Sequence, residues 1–460
     1  MLCRIGLCAA VLISAATAVL PAATAREPVV PGAIVAAQDA PFAERLAARE
    51  IARYLYVRTG HLLPIVDALP EQGDAGLIVV GSKDQALVKG VLAKADLRLH
   101  EELLGAVGPE QYFLKPVVVE GRAVQLVVGG CPVGTLYGAY CLAEHLGVRF
   151  SMHGDFVPDK QVALTMPQVV DAGKPLFARR GIQPFHDFPE GPDWWDAEGY
   201  KAVLGQLPKM RMNFFGLHTY PQGGVGPEPL VWIGPAGDLN PDGTVKASYR
   251  SRHFTTSNVT GAWGYRGTKT SDYTFGAAAL YGRDDFGADY MQGTEPWTKM
   301  SPEQCNALFD RMGATLSDAF TFARRLGIKT CIGTETPLTI PAAVQERLKA
   351  AGKDPKDPKV VQEVYEGMFR RIMKTHPLDY YWCWTPEGWT WSGVKQAQID
   401  ATAADMRAAI AASKKVNAPF TLATCGWVLG PQQDRALFDN ILPKNMPVSC
   451  INRQVGHAPV

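Results

Sequence analysis

Apolar positions recur at two periods along this chain, and the alternation of those periods predicts an α/β architecture. In AERLAAREIARYLYVRTG, Leu46, Ile51 and Leu55 fall at helical spacing, and Gly60 stops the helix. LIVVGS (77–82) reads as a buried strand. QYFLKPVVVEGRAVQLVVGG reads as two strands around a Glu120-Gly121 turn, a β-hairpin. PVGTLYGAYCLAEHLGVRF is then a helix with small residues on one face, leading to a strand that ends at Phe150. These elements predict a compact α/β unit over 26–172, with Leu46, Ile51, Leu55, Val79 and Leu136 in its core.

From 173 to 460 strands and helices alternate. RGIQPFHDF (180–188), MNFFGLHTYP (212–221), IKTCIGTETPL (328–338), LDYYWCWTPEGW, PFTLATCGWVLGP (419–431) and MPVSCINRQVGH (446–457) are six candidate strands. Helical segments lie between them: YKAVLGQLPKMRM, 301–327, 342–376 with a break at 353–359, and IDATAADMRAAIAASKKVN. Such alternation with right-handed crossovers predicts a TIM-type (β/α)8 barrel. Six strands are counted where eight are needed, so the barrel is expected to be incomplete at its C-terminus. Residues 222–300 lack strong periodicity and carry many Gly, Trp, Tyr and Asp residues. They are expected to form a long loop insertion that either roofs the barrel's pocket or is a lineage-specific addition without a role in it.

Composition narrows the compartment and the partners. Lys and Arg number 46, Asp and Glu 45, and no basic tract appears, so nucleic acid is not an expected partner. Arg4, the apolar run Ile5–Leu20 and Ala23-Thr24-Ala25 read as a secretory signal over 1–25, with Arg26 opening an exported, periplasmic or extracellular, mature chain. No later stretch is long enough to span a membrane. Past the signal, seven cysteines remain, and Cys331, Cys383, Cys425 and Cys450 lie in apolar strands where buried free thiols are expected. With no C-x-x-C or H-x-x-x-H spacing, neither a metal nor a cofactor is expected. The glycines of GGCPVGTLYG are spaced wrongly for a dinucleotide loop and are read as serving close helix–sheet packing.

The candidate chemistry centres on DYYWCWTPEGWTW, where Glu387 follows a Thr385-Pro386 turn and is flanked by Trp382, Trp384, Trp389 and Trp391. A carboxyl group among indoles holds its proton to higher pH and can act as a general acid. Reacting groups in such barrels project from the C-terminal strand ends. The residues falling there are His186, Asp187, His218, Tyr220, Glu335, Glu387, Trp427, Asn452 and Arg453. Period two puts Trp382 and Trp384 on one face, and Tyr381 and Cys383 on the other.

The residues of the first unit also carry a resemblance. Tyr54–Gly60 (Y-L-x-x-x-T-G), Val79–Ser82 (V-V-G-S) and Gly130–Pro158 (G-x-x-x-G-x-L-Y-G-A-Y-x-L-x-E-H-L-G-V-R-F, then a G-D-x-V-P exit) look like the N-terminal accessory domain of family 20 β-hexosaminidases and family 67 α-glucuronidases. The linker pattern D-x-x-x-P-x-F-x-x-R-G is similar to the way those families enter barrel strand one. The resemblance covers about a third of the chain. It implies an accessory domain without catalytic residues, packed beside a (β/α)8 barrel. Family 20 enzymes carry an adjacent Asp-Glu pair at strand four, whereas Thr385-Pro386 precede Glu387 here, so their substrate-assisted mechanism does not transfer.

The expected function is glycoside hydrolysis of a complex polysaccharide or oligosaccharide. Glu387 is expected as the acid, with Glu335 or Asp187 as the second carboxylate. His186, His218, Tyr220, Trp384, Trp389, Trp427, Asn452 and Arg453 are the expected sugar contacts. The alternative is a non-catalytic carbohydrate-binding protein on the same scaffold, its carboxylates only accepting hydrogen bonds from hydroxyls. A third reading, a polysaccharide lyase with His218 or Tyr220 as base and Arg453 facing a uronate, fits the predicted architecture poorly.

Overall fold

The computed structural model describes residues 29–95, 104–184, 195–219, 229–251, 301–390, 394–426, 430 and 436–450, with the backbone alone at 387, 390 and 436–438. Two sheets organise them.

The first sheet is built from β1 (Pro31–Val35), β2 (Ile65–Val66), β3 (Gly76–Ser82), β4 (Tyr112–Val119), β5 (Arg122–Gly129) and β8 (Asp171–Gly173), in the order β2-β1-β3-β5-β4-β8. The β4–β5 hairpin turns at Glu120 and Gly121, both at positive φ (50° and 83°). That backbone suits the twist of a two-residue hairpin loop. Helices α1 (Phe42–Thr59) and α3 (Pro132–His145) share a core with Ile34, Ile78, Val80, Leu114 and Val127, while α2 (Ala86–Ala95) packs on Val35, Leu77, Val79 and Leu126. The central strand β3 is therefore buried at every residue, which is why LIVVG reads as an unbroken apolar run. Gly60 ends α1 in the left-handed conformation, φ 76°.

Ile51, Leu55, Val79 and Leu136 are buried as expected, but Leu46 is only partly so. The face that α1 turns to the sheet runs through Ala43, Ala47, Ile51, Tyr54 and Leu55, and Leu46 lies at its margin. In α3, a Cβ at Gly134 would overlap the carbonyl of Gln111, so that glycine lets the helix approach the sheet. A two-stranded ribbon, β6 (Arg149–Ser151) with β7 (Gly154–Phe156), follows.

The second sheet is wholly parallel and runs in sequence order: β9 (Gly181–Ile182), β10 (Phe214–Thr219), β11 (Lys329–Glu335), β12 (Tyr380–Trp384) and β13 (Thr421–Cys425). A parallel bridge, Thr424 to Val448, adds the start of the sixth predicted strand. Helices α4 (Ala197–Gln206), α5 (Pro302–Arg325), α6 (Ala342–Ala350) with α7 (Pro358–Thr375), and α8 (Gln396–Val416) make the successive crossovers. Their starts are written in the sequence. Ser301 and Gln304 form a capping box before α5, and the Asp196 and Asp357 side chains accept backbone N–H bonds at the starts of α4 and α7. No helix among the described residues is long and apolar enough to cross a membrane.

Alternation along the strands separates two environments. Phe215, Leu217, Ile332, Tyr381, Cys383 and Leu422 join the core shared with the helices. Cys331, Trp382, Trp384, Ala423 and Cys425 form a separate cluster on the other face, with Phe214 and Tyr380 against it. Trp382 needs its neighbours to be small: a Cβ at Gly216 would overlap its ring, and one at Gly333 its backbone.

The described part of the predicted loop insertion, 229–251, packs on the helices, with Val231, Trp232 and Ile233 buried, Arg371 donating to the Gly243 carbonyl (2.6 Å) and Arg347 donating to Asp238 (2.8 Å). Apolar residues at 230–233 lie against the middle of α5, at Phe309 and Gly313, and the C-terminal end of α7, which a period search cannot register in so short a run.

The two sheets are joined by paired polar groups. Glu110 accepts from Arg180 (2.8 Å) and from the Asn213 amide (2.8 and 3.0 Å), and Arg211 grips Glu144 through two bonds of 2.8 and 2.6 Å.

Candidate active site

The register of the parallel strands decides which side chains meet at their C-terminal ends. His218 pairs with Gly333 across β10–β11, and Glu335 pairs with Trp384 across β11–β12. Side chains of paired residues in adjacent parallel strands lie on one face. His218, Glu335 and Trp384 therefore belong to the face that carries the Trp382 cluster.

The His218 imidazole packs on the Trp384 indole, ring centroids 4.2 Å apart and planes 33° from each other. Its Nε2 lies 3.9 Å from Glu335 Oε1. His218 is 1% exposed, and burial pushes its pKa down to about 3. Removal from water disfavours the imidazolium, so the ring is neutral at any ordinary pH and the 3.9 Å approach is not an ion pair. The Glu335 side chain is 25% exposed, which opens its carboxylate to solvent while the aromatic pair stays covered.

Strand ends are pinned to one another. The Thr336 backbone N–H and hydroxyl both donate to the Trp384 carbonyl (2.8 and 2.6 Å), and Thr385 N–H donates to the Cys425 carbonyl (2.8 Å). Beyond β11, Asp405 of α8 accepts from Leu338 N–H (3.0 Å) and from the Tyr365 hydroxyl (2.8 Å). Burial pushes the Asp405 pKa up to about 6. Asp405 escaped the sequence reading because an Asp in an Ala-rich helix looks like a solvent-facing residue. Its only signal is the absence of a cationic neighbour at helical spacing.

The predicted site residues fall into three groups. His218, Glu335 and Trp384 are brought together. Trp384 is 1% exposed, so it backs the site rather than offering an open face for stacking. Trp389 is turned elsewhere: it joins the core between sheet and helices, beside a groove of about 380 Å³ lined also by Pro337, Pro386 and Gln398. The alternation that placed Trp384 ends at Thr385-Pro386, so the strand rule could not carry across to Trp389. Glu387 opens a short 3-10 turn, Glu387–Thr390, three residues past the end of β12, and its side chain lies outside the described residues. His186, Asp187, Tyr220, Trp427, Asn452 and Arg453 also lie outside them.

No protein-family model matches this chain, and no curated protein matches it. Solved glycoside hydrolases are among the structures to which it is similar. One is a GH20 β-N-acetylhexosaminidase from Streptomyces coelicolor A3(2), at 13% identity and TM-score 0.46 over 92% of this chain and 72% of that one. Another is a β-hexosaminidase from Streptomyces plicatus, at 12% and 0.45 over 92% and 70%. A third is a GH138 enzyme targeting pectin rhamnogalacturonan II, at 11% and 0.45 over 91% of this chain, which spans 37% of that enzyme. At these identities and scores the overlaps carry nothing about activity, and the functional reading rests on the strand ends.

Of the cysteines, Cys141, Cys305, Cys331, Cys383 and Cys425 are buried free thiols, while Cys131 and Cys450 are half-buried. Cys450 thus departs from expectation: it follows the single bridge at Val448, where no full strand covers it among the described residues.

Proposed function

We propose that this chain is an exported glycoside hydrolase that cleaves a complex polysaccharide or oligosaccharide by carboxylate catalysis, on a (β/α) barrel preceded by a small α/β accessory domain. The observation that carries the reading is Glu335. It stands at the C-terminal end of a parallel strand, partly open to solvent, against a buried neutral His218 and the Trp384 indole. The adjacent strand leads within three residues to Glu387.

Glycosidic bond cleavage calls for two carboxyl groups, and the candidates are Glu335 and Glu387 on neighbouring strands. In this reading Glu387 protonates the leaving oxygen, and Glu335 or Asp187 faces the anomeric carbon as nucleophile or as base for a water. His218 stands beside Glu335 as a buried, uncharged ring. His186, Tyr220, Trp427, Asn452 and Arg453 are assigned to sugar contacts.

The test is release of new reducing ends from a panel of polysaccharides by the full-length protein. Cleavage of at least one glycan supports the reading. Binding to glycans with no cleavage on any of them would favour the carbohydrate-binding alternative instead.

A further inference from the structure

We propose that Cys141, His145 and Asp171 form a binding site for a zinc-class divalent cation that fastens the edge strand β8 to helix α3. The site lies in the first sheet's unit, away from the β10–β12 strand ends. Cys141 and His145 are four residues apart on α3, which sets both side chains on one face of the helix. Asp171 opens β8, which is the edge of the first sheet and pairs only with β4, through three residues.

The geometry is close to that of a bound ion. His145 Nε2 lies 2.8 Å from Asp171 Oδ2, Cys141 Sγ lies 3.3 Å from the same oxygen, and the three donor atoms all fall within 4.8 Å of one another. Tetrahedral zinc with its usual bonds to sulfur, nitrogen and oxygen sets such donors about 3.4–3.6 Å apart. To turn this hydrogen-bonded triad into three ligands, the His145–Asp171 pair opens by about 0.6 Å and the Cys141–Asp171 pair by about 0.3 Å. The charges balance too, since a thiolate and a carboxylate with a neutral imidazole cancel the two charges of the ion. Binding replaces the S–H bond by a metal–sulfur bond, and the thiol proton passes to solvent.

Surroundings favour one ion with a water in the fourth position. Cys141 is buried, while the His145 and Asp171 side chains are 43% and 40% exposed and leave a path for the ion. The Tyr112 hydroxyl neighbours Cys141, and the nearby Arg211 guanidinium is neutralised by its two bonds to Glu144. A sulfur–nitrogen–oxygen donor set suits zinc over magnesium or calcium, which take oxygen ligands. Sequence spacing alone did not reveal the site, because its third donor stands 26 residues beyond His145.

The experiment is titration of the metal-free, reduced full-length protein with Co(II) as a spectroscopic stand-in, then displacement by Zn(II). One equivalent should produce thiolate-to-cobalt charge-transfer absorption with tetrahedral ligand-field bands, both erased by zinc. H145Q alters a residue whose side chain is 43% exposed on the surface of α3, so it should retain the protein's circular dichroism. Loss of a supporting partner already weakens metal sites by about 10–100-fold, so loss of this ligand should cost at least about 10-fold in zinc affinity. C141S should abolish the charge-transfer band. Absence of that band in the wild type, or its persistence in C141S, would overturn the proposal.

Discussion

The Trp384 indole covers the imidazole of His218 at 4.2 Å between ring centroids, and the pair is sealed from water at the end of β10 and β12. Removal from water pushes the pKa of His218 down to about 3. His218 should therefore stay neutral and give no titration step between about pH 5 and 9, where a free imidazole titrates near 6.5. Its ring nitrogen shifts in an NMR pH titration report this directly. A midpoint near 6.5 would mean that the pair opens to solvent, and that His218 is available as an acid.

Buried histidines also set how stability depends on pH. His218 and His376 both have folded pKa values of about 3, the latter through burial and then Arg371. Below about pH 6.5 the unfolded chain takes up protons that the folded chain refuses. Their contribution is full above that pH and is lost as pH falls toward 3, at about 1.4 kcal/mol per pH unit for each histidine. Asp405, raised to about 6, has the opposite sign: its contribution is present below about pH 3.9 and is lost as pH rises through 6. Urea unfolding across pH 4–7 should thus show a flatter acid limb in His376→Phe and a steeper one in Asp405→Asn.

Gly216 makes room for Trp382. A Cβ there would overlap the indole, so Gly216→Ala should destabilise the protein by about 1–3 kcal/mol through overpacking. Trp382→Leu in the same chain should recover part of that loss, giving a favourable coupling in a double-mutant cycle. Additive losses would show that the glycine serves some other purpose.

Glu110 sits where the two sheets meet, accepting from Arg180 and Asn213. Glu110→Ala leaves both donors without this carboxylate and should cost about 2–3 kcal/mol in thermal or urea unfolding. β8 carries the first sheet one residue past the expected end at 172, to Gly173, and we propose that the first unit ends after it. Limited proteolysis should then cut first within 159–178, and an initial cut within 77–150 would contradict that boundary.

Much of this architecture is legible in the sequence because burial imposes period. LIVVGS, IKTCIGTE and DYYWCW announce buried strands, and parity alone put Trp382 and Trp384 on one face with Tyr381 and Cys383 on the other, as the two core clusters show. Legibility fails where periodicity stops or where partners are distant in the chain. Trp389 lies past a Pro-containing turn, so no strand rule fixed its direction. Residues 230–233 bury themselves against helices more than 70 residues downstream. Asp405 finds Tyr365 and Leu338 only through tertiary packing. The Glu335 position was readable because it ends a strand; its neutral histidine neighbour was not, because neutrality follows from burial rather than from spacing.

The central claim is that Glu387 protonates the leaving oxygen of a glycosidic bond, and its most direct test is the turnover of Glu387→Gln on a glycan that the full-length wild type cleaves. Glutamine keeps the size and hydrogen-bonding ability of the side chain but has no acidic proton to give. Turnover should fall by about 10²-fold or more on substrates with poor leaving groups, with binding nearly unchanged, and the loss should shrink on activated aryl glycosides that need little acid help. A Gln variant that cleaves the natural glycan as fast as the wild type would contradict the account.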